Sequence, residues 1–186
     1  MNAAVKVEIQ KSNYEKLKHM VDWTPTIQHC APQVAVSTMK AVIRTESGFN
    51  PLALNINGGV KLARKPRSYN EAASWATWLI NRGYSVDMGL MQINSANLQR
   101  LGLNAHSVFD PCKNLQAGAT ILTENYLRAL KDTPNKQTAL LKAISAYNTG
   151  NFRNGFRNGY VAKVVRAPTL IAREEERPPP LLAPKS

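Results

Sequence analysis

The stretch APQVAVSTMKAVIRTESGFNP, residues 31–51, decides the class of fold and carries the main candidate for chemistry. Val36, Met39 and Ile43 recur at three- and four-residue steps, the spacing of one helix face, so a helix is predicted from Ala31 to Thr45 with Pro32 in its first turn. Glu46 continues the stripe. Ser47-Gly48-Phe49-Asn50-Pro51 ends the helix, because Gly48 relaxes the backbone and the residue before Pro51 is pushed out of helical geometry. A carboxyl on an inward stripe loses water, which disfavours its charged form, raises its pKa and prepares it to donate a proton near neutral pH. Glu46 is therefore a candidate proton donor; the alternative is a solvated glutamate at a helix end.

Working outward, 186 residues at 44% hydrophobic and 19% charged suffice for one core, read as a domain over 28–167 flanked by an arm or accessory helix at 1–27 and a tail at 168–186. The tail contains Pro178-Pro179-Pro180 and is expected to be disordered. No apolar run approaches the roughly 20 residues of a membrane span. The first 30 residues lack the apolar core of a secretory leader, so work outside the cytoplasm implies a leader that this sequence does not contain.

Net charge is +12, and residues 28–172 hold most of it, with 17 basic and 6 acidic side chains. An anionic partner is implied; nucleic acid, anionic lipid and acidic bacterial wall all satisfy that requirement. Cys30 and Cys112 are too far apart for a local redox or zinc motif, so they are two buried thiols or one long-range crosslink. We favour the crosslink, which contributes about 4 kcal/mol if unstrained.

The remaining pattern is mainly helical. Asn57-Gly58-Gly59 signals a small irregular β-hairpin within 52–69. Ser68 or Asn70 caps a helix running to about Asn81, with Ala72, Trp75, Trp78 and Leu79 on its core side. The two tryptophans are read as core rather than as sugar platforms. A compact apolar segment, 84–94, carries Asp87, Gln92 and Asn94, and a short helix follows to about Leu101. Asp110-Pro111 and Thr133-Pro134 each start a helix, the second stopping before Gly150, and a last helix covers Tyr160 to Arg166.

The small acidic inventory permits elimination. Asp110 serves as a cap, and Glu71, Glu124 and Asp132 sit at polar helix positions, leaving Glu46 and Asp87. His19, His29 and His106 are scattered without a carboxylate cluster, so neither metal nor cofactor is expected. One protonated carboxyl among polar neighbours suits general acid cleavage of a glycosidic bond.

Three blocks in order, Glu46-Ser47-Gly48-Phe49-Asn50-Pro51, Gly89-Leu90-Met91-Gln92-Ile93-Asn94 and Ala146-Tyr147-Asn148-Thr149-Gly150, resemble the soluble lytic transglycosylase domain of the lysozyme superfamily. The resemblance covers residues 30 to about 166 and is nearest to the specialised enzymes of type IV secretion and conjugation systems, which Asp110-Pro111-Cys112 and Asn158-Gly159-Tyr160-Val161 also fit. It implies a mainly α (α+β), lysozyme-like fold and a periplasmic enzyme. Its partners would be peptidoglycan glycan strands and secretion components, with no nucleic acid and no integral membrane segment. Glu46 would be the acid/base cleaving between N-acetylmuramic acid and N-acetylglucosamine to leave a 1,6-anhydromuramic end. Gln92 would contact the sugar, and Tyr147 would hydrogen-bond and orient Glu46. Ser47, Asn94 and Asn148 would contact substrate or support those that do.

Each role has a plainer alternative: a structural amide for Gln92, a core tyrosine for Tyr147, a loop-capping aspartate for Asp87. Asp87 also opens a second reaction, lysozyme-like hydrolysis with two carboxylates. A scaffold for a secretion apparatus is the other class of reading; nucleic-acid binding rests on charge alone.

Overall fold

The computed structural model describes residues 21–175, and their architecture is mainly helical with one small sheet. The elements are α1 (Thr24–Cys30), α2 (Val36–Ser47), β1 (Leu54–Ile56), α3 (Tyr69–Asn81), β2 (Val86–Met88), β3 (Ile93–Asn94), α4 (Pro111–Leu130), α5 (Lys136–Thr149), α6 (Asn154–Arg157) and α7 (Tyr160–Glu175). The expected fold class stands. No helix among the described residues is long and apolar enough to cross a membrane.

The helix expected from Ala31 starts only at Val36, and a separate helix precedes it. Ala31, the residue before Pro32, sits at φ −138° and ψ 50°, so α1 stops at Cys30 and α2 begins only at Val36. Met39, Ala41, Val42 and Ile43 enter the core, and Gly48, at φ 59°, closes the helix by donating its N–H to the Arg44 carbonyl at 3.2 Å. Cys30 is thus at the end of α1, and its disulfide to Cys112 fastens that end to the first turn of α4. Ile27 is fully buried, so the folded body starts before residue 28.

The sheet also departs from expectation. Gly58 and Gly59 turn at φ 93° and 88°, but the chain beyond them does not return to pair with β1. β1 pairs instead with β2, which pairs with β3, both antiparallel, so the hairpin is the one closed by residues 89–92. The registers Asn55↔Asp87 and Asp87↔Asn94 align three polar residues on one face. Leu54, Met88 and Ile93 align on the other, which is buried.

Four helix expectations are corrected. Small residues Ala72, Ala73 and Ala76 with Leu79 form the core face of α3, leaving Trp78 52% exposed with the Arg82 guanidinium 3.7 Å from its ring centre. The helix after β3 shortens to a 3₁₀ turn, Ser95–Asn97. α5 is capped by Asn135, whose side chain accepts from the Thr138 N–H at 2.9 Å, two residues later than Thr133. The last helix passes Pro168 and reaches Glu175, since one missing N–H forfeits a single helical bond without ending the run. The tail expectation is therefore corrected over 168–175; residues 176–186, like 1–20 of the N-terminal arm, lie outside the described residues. Ser68 and Asp110 do cap α3 and α4, accepting from Glu71 N at 3.2 Å and Lys113 N at 2.9 Å.

α4 packs against α5, and α7 against α2. Between these layers lies the 89–92 turn, held by a polar residue in the core. Asn114 of α4 is 1% exposed; its amide donates to the carbonyls of Met88 (3.0 Å) and Val108 (2.7 Å), and its oxygen accepts from Met91 N (2.7 Å). Gly118, one turn on, admits Met91: a Cβ there would stand 2.7 Å from the Met91 Cβ. Replacing Asn114 by Ala orphans one donor and two acceptors in the core, so Asn114→Ala is expected to lower the unfolding free energy by about 3 kcal/mol in a denaturant titration. A change within error of zero would contradict this role.

Candidate active site

A cleft of about 540 Å³ opens where the end of α2, the polar face of the sheet and the end of α5 meet. Glu46, Asn55, Asp87, Gln92, Asn94, Tyr147 and Asn148 all line it, together with Asn57 and Ile121. Six of the seven sequence-derived candidates for catalysis and substrate contact are thereby brought together. Ser47 is the exception: its hydroxyl points back into the structure, to the carbonyls of Leu90 (2.8 Å) and Ile43 (3.2 Å), tying α2 to the 89–92 turn.

The Glu46 carboxyl is mostly enclosed by protein, although the residue keeps some surface open to the cleft. Burial pushes its pKa up to about 7, the nearby Asp87 charge adds to the rise, and a hydrogen bond from Tyr160 partly opposes it. The Tyr160 hydroxyl, from the first residue of α7, donates to Oε1. Its own ionisation is pushed far up by burial and by the adjoining carboxyl, so it stays a donor. With Oε1 occupied by the phenol, Oε2 is the oxygen left to carry a transferable proton.

Tyr160 therefore makes the bond expected of Tyr147. The Tyr147 hydroxyl donates instead to the Met91 carbonyl at 2.7 Å, and a hydroxyl has only one proton to give. Tyr147 supports the turn from the side of α5, and burial, with the charges of Glu46 and Asp87, pushes its pKa well up. Asn148 connects to the same machinery. Its Oδ1 accepts from Asn158 Nδ2 (3.0 Å), and Asn158 Oδ1 accepts from the Tyr160 N–H (3.0 Å). The sequence marks Tyr160 as the start of the last helix and Asn158-Gly159-Tyr160-Val161 as part of the family resemblance, but nothing local points to a partner 114 positions away at Glu46.

On the opposite wall, Asn94 Nδ2 and Asn57 Nδ2 donate to Asp87 Oδ1 (2.7 Å) and Oδ2 (3.0 Å). Asp87 is thus fixed by two amides and meets them as an acceptor. Gln92, at φ 50°, spends its amide N–H groups on the carbonyls of Gly89 (3.0 Å) and Ala53 (3.3 Å) and accepts from Asn55 Nδ2 at 2.6 Å. In this arrangement it is a structural amide at the rim, with one oxygen lone pair left for a ligand. One proton-holding carboxyl and one aspartate held by two amides therefore share a polar cleft.

A family model described as Transglycosylase SLT domain matches residues 25–166. The chain belongs to that family. The activity expected of it, peptidoglycan cleavage by a lytic transglycosylase, stands with the membership. Among curated proteins, the chain is 43% identical over 160 residues to the type IV secretion system protein virB1 of Brucella abortus biovar 1 (strain 9-941), covering 83% of this chain and 67% of that one. It is 40% identical over 150 residues to protein virB1 of Agrobacterium tumefaciens (strain 15955), covering 81% and 62%. No solved structure gives a significant match.

The raised Glu46 pKa sets a stability profile. Between pH 4.5 and about 7 the folded chain holds a proton on Glu46 that the unfolded chain has released. Stability contributed by this group thus falls as pH rises through that window and is level above it. Glu46→Gln is expected to remove this group's part of the slope and to gain on the order of 3 kcal/mol over the parent above pH 7. Parallel slopes for the two proteins in denaturant titrations across this range would contradict the assignment.

Proposed function

We propose that Glu46 cleaves the bond between N-acetylmuramic acid and N-acetylglucosamine by protonating the bridging oxygen, then takes a proton from the C6 hydroxyl of the muramic acid. Protonation breaks the bond from C1 to the bridging oxygen, freeing a hydroxyl on the N-acetylglucosamine side and leaving an oxocarbenium-like C1; the C6 oxygen then bonds to C1 as its proton passes to Glu46, closing the 1,6-anhydromuramic end. No water is consumed, and Glu46 ends protonated as it began. The observation that carries the reading is the enclosed Glu46 carboxyl with Tyr160 on one oxygen, an acid poised near neutrality.

Tyr160 supports the second half of this cycle, because a donor on Oε1 steadies the carboxylate that exists after the first proton has left. Asp87, across the cleft, supplies negative charge for the oxocarbenium-like sugar at the transition state. Its presence in the cleft also supports the alternative in which it assists water and the product is a reducing end. For cellular setting, the virB1 relatives suggest a type IV secretion apparatus, for which local wall opening in the periplasm makes room. The Cys30–Cys112 disulfide suits that oxidising compartment.

Mass spectrometry of products from purified peptidoglycan distinguishes the two reactions: anhydro ends, one water lighter than reducing ends, are expected. Glu46→Gln is expected to lose about 10²- to 10⁴-fold in wall lysis while remaining folded. Reducing ends would assign hydrolysis, and near-normal lysis by Glu46→Gln would remove Glu46 from the reaction.

A further inference from the structure

Beside the cleft lies a second groove of about 490 Å³, formed by β1 and the loop that follows it. Asn55 lines both, so the two are neighbours. The groove has apolar walls from Ile56, Val60 and Leu62, and Lys61, Arg64 and Lys65 at its edge. Residues 57–68 contain four basic side chains and no acidic one.

The three cations are not equivalent. Arg64 is committed to the fold: its guanidinium donates to both Glu71 oxygens (3.0 and 2.5 Å) and lies 4.7 Å from the Trp75 ring centre. Glu71 also accepts from the Arg67 N–H at 2.6 Å, and these bonds hold its pKa down at about 2. The loop is thereby fastened to the first turn of α3. Lys61 and Lys65 are exposed and have no carboxylate partner among the described residues. A fastened loop thus presents two unpaired ammonium groups above an apolar wall, next to the sugar cleft.

We infer that this groove is a subsite for the peptide stems of peptidoglycan, with Lys61 and Lys65 receiving stem carboxylates and Ile56, Val60 and Leu62 receiving the aliphatic part. The inference rests on the peptidoglycan reading and extends it. Stems branch from the muramic acid residues, so a strand in the cleft carries covalently attached carboxylates past its rim. An apolar wall with cations beside it matches a short aliphatic peptide bearing carboxylates better than a peptide-free glycan, whose muramic acid offers one lactyl carboxylate close to the ring and no aliphatic side chains. Nucleic acid is disfavoured because the groove offers no exposed aromatic side chain on which a base could stack.

Binding separates this idea from catalysis. A disaccharide bearing its peptide stem and the same disaccharide without it, its lactyl carboxyl capped as an amide, are titrated calorimetrically against the intact protein and against Lys61→Ala/Lys65→Ala. At low salt the parent is expected to prefer the stem-bearing ligand by about three- to tenfold, the scale of two exposed charge contacts. The preference should shrink as salt is raised. In the double variant it should fall to near one, and circular dichroism should report an unchanged fold. No preference in the parent, or the same preference in a folded double variant, would overturn the subsite. A stem preference without glycan cleavage would count against the Glu46 reaction and leave the groove assigned.

Discussion

Everything in the cleft depends on taking one carboxyl group out of water. Glu46 occupies the penultimate position of α2, where a solvated side chain would ionise in the ordinary carboxylate range. Packing α7 against α2 closes over it and brings the Tyr160 hydroxyl onto Oε1. Burial and the hydrogen bond act in opposite directions on the pKa, and burial wins, leaving a group that can both give and recover a proton near neutrality. A deeper or unpartnered site would hold the proton too tightly; an open one would lose it before substrate arrived.

That position is stabilised by groups that hold the backbone around the carboxyl. Asn114 anchors the 89–92 turn from α4, Tyr147 from α5 and Ser47 from α2, all through main-chain atoms. The Asn148–Asn158–Tyr160 chain fixes the start of α7. The cleft is therefore built on a turn gripped by three helices, which explains how a sheet of such short strands can hold Asn55, Asp87 and Asn94 in line.

Features set by local periodicity were legible in the sequence. Glu46 extended a helical stripe and survived elimination among few carboxylates, and the Asp110-Pro111 cap and mainly helical class followed from local chemistry. Features set by distant packing were not. Asn114 carries no mark in the sequence, because nothing nearby says that three main-chain groups will satisfy it in the core. β1 found its partner beyond α3 instead of across the Asn57-Gly58-Gly59 turn, because β2 offers an alternating buried edge while Val60 remains exposed. Tyr147 and Tyr160 were both in view, but which phenol reaches Glu46 depends on how α5 and α7 stack, and no spacing rule encodes that.

The central claim is that Glu46 is an enclosed acid whose proton affinity is balanced between burial and Tyr160. The most direct measurement is a carboxyl-carbon NMR titration of Glu46 in the parent and in Tyr160→Phe. The account predicts a midpoint near 7 in the parent and a higher one once the phenol donor is removed. A parent midpoint near the ordinary 4.5, or a midpoint unmoved by Tyr160→Phe, would contradict it.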